Sequence, residues 1–184
     1  MRKEEIMKIT NKELVKLLGI EQLEWFRRKM YKYKRRDLLF YNVEFHLLSE
    51  LENVSDNAAG RYIYEETEEV HKIYILDKQL DDYKNNYFAK TYWTKFLKND
   101  VIHTIRHEIL HAYVKERFRY ICKIDHCEAD ASIIFLMHLQ FFKVTSGHDC
   151  AYSYRHSEIY KKVKECKDYE EFLTIYFDFA CINL

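Results

Sequence analysis

Apolar residues recur at helical spacing through Leu14, Leu17 and Leu18, directly after Thr10-Asn11-Lys12-Glu13. In that arrangement a Thr and a Glu three residues apart each satisfy the other's exposed backbone amide, so a helix starts there. The pattern predicts a first helix ended by Gly19, and a second from about Glu21 in which Trp25 or Phe26, Met30 and Tyr33 share a face. From Tyr41 to Leu48 the period drops to two, with Val43, Phe45 and Leu47 against Asn42, Glu44 and His46, a half-buried strand. Ser55 to Gly60 has turn composition. Arg61 to Tyr64 and His71 to Leu76 then read as two strands around an acidic turn at Glu65 to Glu69.

Signals are mixed from Lys78 to Leu97. The helical period returns at Asn99 or Asp100, either a good N-cap, and runs to about Phe118 through Val101, Ile102, Ile105, Ile109, Leu110 and Tyr113. A second strongly apolar helix spans about Cys127 to Phe142. A loop around Gly147 and helices over Ser157 to Glu165 and Tyr169 to Ala180 complete the chain. Helices, then a small antiparallel sheet, then helices make an α+β fold with the sheet packed against the helices.

At 184 residues the chain forms one domain with a real core, and an aromatic content of 16% supplies the material for it. The 30 basic and 30 acidic residues cancel, so net charge demands no polyanionic partner. Zero Pro and three Gly leave no linker and no glycine-rich phosphate loop. The N-terminal pattern is charged and helical rather than that of a signal peptide, and the longest apolar run, Ala131 to Met137, is too short to span a bilayer. Five cysteines without a Cys-x-x-Cys pair argue against a disulfide framework and a zinc ribbon, so a cytoplasmic location is expected.

His107-Glu108-Ile109-Leu110-His111 changes this picture, because it is a His-Glu-x-x-His array within the buried helix. On a helix both imidazoles lie one turn apart on one face and can reach a single Zn²⁺, while Glu108 can take a proton from a zinc-bound water. A mostly buried helix does not carry two histidines and a glutamate inward unless something compensates them. The chemistry expected is that of a zinc-dependent peptidase.

A catalytic zinc needs a third protein ligand and an open fourth position. His126, Glu128 and Asp130 cluster where the next helix is expected to start. On a helix His126 and Asp130 share a face and Glu128 lies nearly opposite, so His126 and Glu128 exclude each other. With His126 the set is three histidines and Asp130 can accept an imidazole N–H; with Glu128 it is of the thermolysin type; with neither, the acids complement a helix dipole. His103, about 12 Å along the axis from His111, is too far to share its ion. His138 reads as a core residue, Cys127 as an inert one, and His148 and His156 as weaker candidates for an electrophile or substrate contact. Tyr152, Tyr154 and Arg155 are the candidates for stabilising an oxyanion.

The array, the strand Asn42-Val43-Glu44-Phe45, the turn Ala58-Ala59-Gly60-Arg61 and the strand His71-Lys72-Ile73-Tyr74-Ile75 together resemble the SprT-like, Spartan-type metalloprotease family over roughly residues 38 to 143. The resemblance implies a zincin-like core between N-terminal helices (1–37) and a C-terminal helical tail (144–184). It also implies His107, His111 and His126 as zinc ligands, Glu108 as catalytic residue, and protein substrates. Two departures are Cys127 where that family often has Gly and the lack of a cysteine ribbon. Separately, Arg27 to Arg36 holds seven basic residues interleaved with Tyr31 and Tyr33, able to contact phosphates and stack bases, so nucleic acid is a candidate partner. The solvated face of an amphipathic helix has the same composition. A reading from another class is a zinc-stabilised binding or regulatory module without turnover.

Overall fold

The computed structural model describes residues 8–32, 42–52, 58–88, 91–122 and 127–182. Helix α1 (Asn11–Lys32) starts at the Thr10/Glu13 reciprocal cap: Thr10 N–H donates to Glu13 Oε2 at 2.9 Å and Glu13 N–H to Thr10 Oγ1 at 3.2 Å. It is one helix of 22 residues, not two, and runs straight through Gly19. The buried face continues past the glycine in Gln22, Leu23, Phe26 and Met30, which supplies the burial that outweighs the glycine's cost of about 1 kcal/mol. Gly19 is there for space: a Cβ would meet the Phe45 ring at 2.3 Å, so its absence lets the next strand lie against the helix.

Strands β1 (Val43–Leu47), β2 (Gly60–Glu65) and β3 (Val70–Ile75) form a three-stranded sheet in the order β1-β3-β2. It is mixed, not antiparallel. β2 and β3 form a hairpin with Gly60 opposite Ile75 and Glu65 opposite Val70, turning where Glu69 takes a left-handed φ of 52°. β1 takes the other edge of β3 and runs parallel to it, Val43 opposite His71 and Leu47 opposite Ile75. The end of β1 and the start of β2 thus both meet Ile75. Alternation along a strand reports which face is buried, not which neighbour it pairs with or in what direction.

Helix α2 (Asp77–Asn86) occupies the region of mixed signals, with Leu80 as its buried anchor. The motif helix α3 (Tyr92–Cys122) begins a turn or more ahead of Asn99 and, at 31 residues, is about 46 Å long. It packs on α1, α2, the sheet and α4 (Ile133–Phe142). Residues 127–132 are a turn rather than the start of α4, which leaves Asp130 free to point back at α3. Helices α5 (Asp149–Tyr154), α6 (Glu158–Glu165, capped by Ser157) and α7 (Tyr169–Ile182) follow. Ile159, Val163, Tyr169, Phe172 and Tyr176 join the same hydrophobic core as Val101, Ile105 and Tyr113 of α3. No helix among the described residues is long and apolar enough to cross a membrane.

Candidate metal centre

The side chains of His107, Glu108 and His111 project from α3 into the base of a cleft of about 1030 Å³, between β2 on one side and the segments 128–130 and 145–148 on the other. They are only 7%, 6% and 7% exposed, so each polar atom needs a partner. His111 is held most tightly. Its ring lies between Phe135 at 4.0 Å and Tyr62 at 5.8 Å, both inclined by 11°, and its Nδ1–H donates to the backbone carbonyl of Glu128. Tyr62 is itself tied back by its hydroxyl, 2.9 Å from His71 Nδ1, and His71 Nε2 lies 3.4 Å from Glu116 Oε2.

With Nδ1 of His111 committed as a donor, Nε2 is left to face the cleft. There it lies 3.5 Å from Asp130 Oδ1, and His107 Nε2 lies 2.9 Å from the same oxygen. His148 Nε2 approaches the other carboxylate oxygen at 3.5 Å, its ring stacked on that of His107 at 5.9 Å. His107, Asp130 and His148 form a group able to hold a metal ion, with ligand atoms all within 4.8 Å of one another. Imidazole nitrogens and one carboxylate oxygen are the donor set that zinc takes. Bond lengths near 2.0–2.1 Å in a tetrahedron place ligand atoms about 3.3 Å apart. The His107 and His111 Nε2 atoms stand 2.9 and 3.5 Å from Asp130 Oδ1, on either side of that value, and His148 Nε2 stands 3.5 Å from Oδ2. His107, Asp130 and His148 fit such an ion, with His111 Nε2 beside the same carboxylate.

Electrostatics agree with the geometry. Burial opposes the charge of Asp130, but hydrogen bonds from His107 and His111 overcome it and hold the carboxyl well below the usual range. Burial likewise works against a charged His111, and Asp130 more than restores it, raising its pKa. Glu108 is pushed up by desolvation, partly offset by His111 and His107. Its carboxylate is set by Gly60, the first residue of β2: a Cβ at that position would lie 2.8 Å from Glu108 Oε1 and 2.8 Å from Thr104 Cγ2.

Of the expected third ligands, His126 lies outside the described residues. The Glu128 carboxylate turns to Lys115 at 2.9 Å, and only its backbone carbonyl serves the site. Asp130 is the acid brought to the histidines. His103 lines the cleft and accepts the Thr145 N–H at 3.3 Å. His138 is a core residue, as its apolar surroundings suggest, and Cys127 is buried with its thiol 3.7 Å from the Val114 carbonyl. His156 stacks edge-on with Tyr152 at the surface, and Tyr154 is buried on Gln140 at 2.6 Å, so neither of these tyrosines lines the cleft, nor does Arg155. In the basic segment, Arg27 pairs with Glu24 at 2.6 Å and Lys29 lies over Trp25; residues 33–36 fall outside the described set.

Sequence reasoning missed the Tyr62/Phe135 clamp and the His71–Glu116 tether, since ring stacking between a strand, a turn of α3 and α4 has no linear signature. It also left His148 in a minor role, although a histidine in the loop Thr145-Ser146-Gly147 is poorly explained by packing. The chain matches no protein-family model, no curated protein and no solved structure.

Proposed function

We propose that this chain is a zinc-dependent peptidase of zincin-like build, with zinc held by His107, His111 and Asp130 and with Glu108 as the proton carrier. The observation that carries the reading is the convergence of His107 and His111 Nε2 on Asp130 Oδ1 beside the buried carboxylate of Glu108. On this reading Asp130 is the third ligand, while His126, the candidate favoured by the sequence, lies outside the described residues.

When bound, zinc supplies Lewis acidity, which makes water nucleophilic near neutral pH and polarises a carbonyl. Glu108 takes the proton of the attacking water at Oε1 and delivers it to the leaving amine nitrogen. Gly60 leaves free the space against β2 that this carboxylate needs, since a side chain there would collide with Oε1. Phe135, Tyr62 and the Glu128 carbonyl hold the His111 ring in one orientation, so no reorganisation is needed on binding. A protein substrate is favoured over a small molecule because β2 is the edge strand of the sheet and forms a wall of the cleft, where an extended chain can pair.

The test is Glu108→Gln on the full chain with an unfolded protein as substrate. Zinc content and thermal stability are expected to persist, while cleavage, self-cleavage included, falls by about 10²–10⁴-fold. Cleavage at the wild-type rate would sink the reading. His148 within ligand reach favours a second one, a closed zinc site in a non-catalytic module. On that reading Glu108→Gln changes no activity, and removal of zinc unfolds the domain.

A further inference from the structure

Resting on that metal reading, we propose that His148 is a displaceable fourth ligand, closing the site in the resting chain and giving way to a substrate's carbonyl or to water. On that reading His107, His111 and Asp130 take three positions of a tetrahedron, and the fourth decides between a structural and a catalytic centre. His148 Nε2 belongs to the same group of ligand atoms as His107 Nε2 and the Asp130 carboxylate, all within 4.8 Å. Two ligands of one zinc stand about 3.3 Å apart. The approach remaining is thus within the swing of one side chain.

The way each ligand is held separates His148 from the others. The His107 and His111 side chains are 9% exposed and packed on Phe135, whereas that of His148 is 58% exposed. His148 sits at the end of the irregular segment 144–147, which leaves α4 through Lys143 in a left-handed conformation, φ 57°, unusual for a side-chain-bearing residue. Val144 anchors the near end of that segment, buried in the core with its N–H on the Leu139 carbonyl at 2.9 Å, while beyond it the Thr145 N–H donates to His103 Nδ1 and the His148 N–H to Ser146 Oγ, each at 3.3 Å. Turning the exposed His148 side chain breaks little packing. In the exchange the Nε2 lone pair leaves the ion and an oxygen lone pair replaces it; no proton or electron is transferred. His148 then remains at the cleft wall, still beside Asp130.

Full-length wild type, His107→Ala, His148→Ala and His148→Gln, each loaded with Co²⁺ or Zn²⁺, test this. The visible Co²⁺ spectrum is expected to change in both His148 variants, and added imidazole to restore it in His148→Ala. Acetohydroxamate should bind His148→Ala about 10-fold more tightly than wild type, and zinc should pass to a chelator about 10-fold faster. Superimposable spectra and equal hydroxamate affinities, with loading still dependent on His107, overturn the fourth-ligand assignment alone and leave His148 as a hydrogen-bond partner of Asp130. Failure of the wild type to load metal at all overturns the metal reading and this assignment with it.

Discussion

Two buried histidine environments lie side by side on α3 and α4 and differ in how their polar atoms are closed. His138 is fully buried, with Nδ1–H donating to the Ile134 carbonyl at 2.6 Å and Nε2 accepting the Tyr169 hydroxyl at 2.9 Å. The Tyr113 hydroxyl completes the chain at 2.5 Å from that of Tyr169, and Phe118, Phe142 and Phe172 surround the ring. Every donor there has an acceptor and the ring is neutral. At the cleft, by contrast, two imidazole Nε2 atoms converge on one ionised oxygen with a third close by. Burial is common to both; convergence of ring nitrogens on one carboxylate is what sets the cleft apart from the core.

The largest effect that breaks this comparison removes the point of convergence. Asp130→Ala should lower zinc affinity by at least about 100-fold, taking metal content from one ion per chain to almost none, while the His138 side of the core stays intact. Glu128→Ala, which loses the ion pair with Lys115 and the contact with the Cys127 thiol, should retain the ion because the carbonyl that orients His111 is backbone. Metal analysis of the two proteins decides the matter. Release of zinc by Glu128→Ala together with retention by Asp130→Ala would reverse the assignment.

A smaller effect separates holding the metal from using it. In Gly60→Ala the new methyl meets Glu108 Oε1 and Thr104 Cγ2, both at 2.8 Å, so the carboxylate must shift while His107 and His111 need not. Misplacement of a catalytic group by about 1 Å costs on the order of 10²-fold in rate. Peptide hydrolysis should therefore fall by roughly that factor with zinc content unchanged. Loss of metal instead would mean that β2 supports the ligands rather than the glutamate.

What the sequence could and could not disclose follows from range. The cap at Thr10, the alternation of β1, the buried stripe of α3 and the motif on it are local, and each appears in the structure at the residues that signalled it. That the acids after the motif helix return to it was also legible: the Glu128 carbonyl and the Asp130 carboxylate both reach the histidines, while His126 lies outside the described residues. Which acid faces the two histidines was not. It depends on residues 127–132 forming a turn, so that the helical argument placing Glu128 and His126 on opposite faces does not apply. The parallel pairing of β1 and the role of Gly19 were hidden for a related reason: both depend on a neighbour distant in the chain, β3 in one case and the Phe45 ring in the other.

The smallest effect sharpens the comparison from the core side. Burial, only slightly countered by the Ile134 carbonyl, pushes the pKa of His138 down to about 3, against an ordinary value of 6.5. Between those values the unfolded chain holds a proton at this position that the folded chain does not, so protonation favours unfolding and stability falls as the pH is lowered. Above 6.5 neither state holds the proton, and the contribution is flat. Wild-type stability should therefore decline more steeply than that of His138→Gln below pH 6.5, by up to about 1.4 kcal/mol per pH unit. Titrations at the cleft are common to both proteins and cancel in the difference. Urea unfolding at pH 7, 6, 5 and 4 provides the measurement. Parallel stability curves for the two proteins would mean that His138 already shares its proton in the fold, and that the closed network and the convergent one are less different than their geometry makes them.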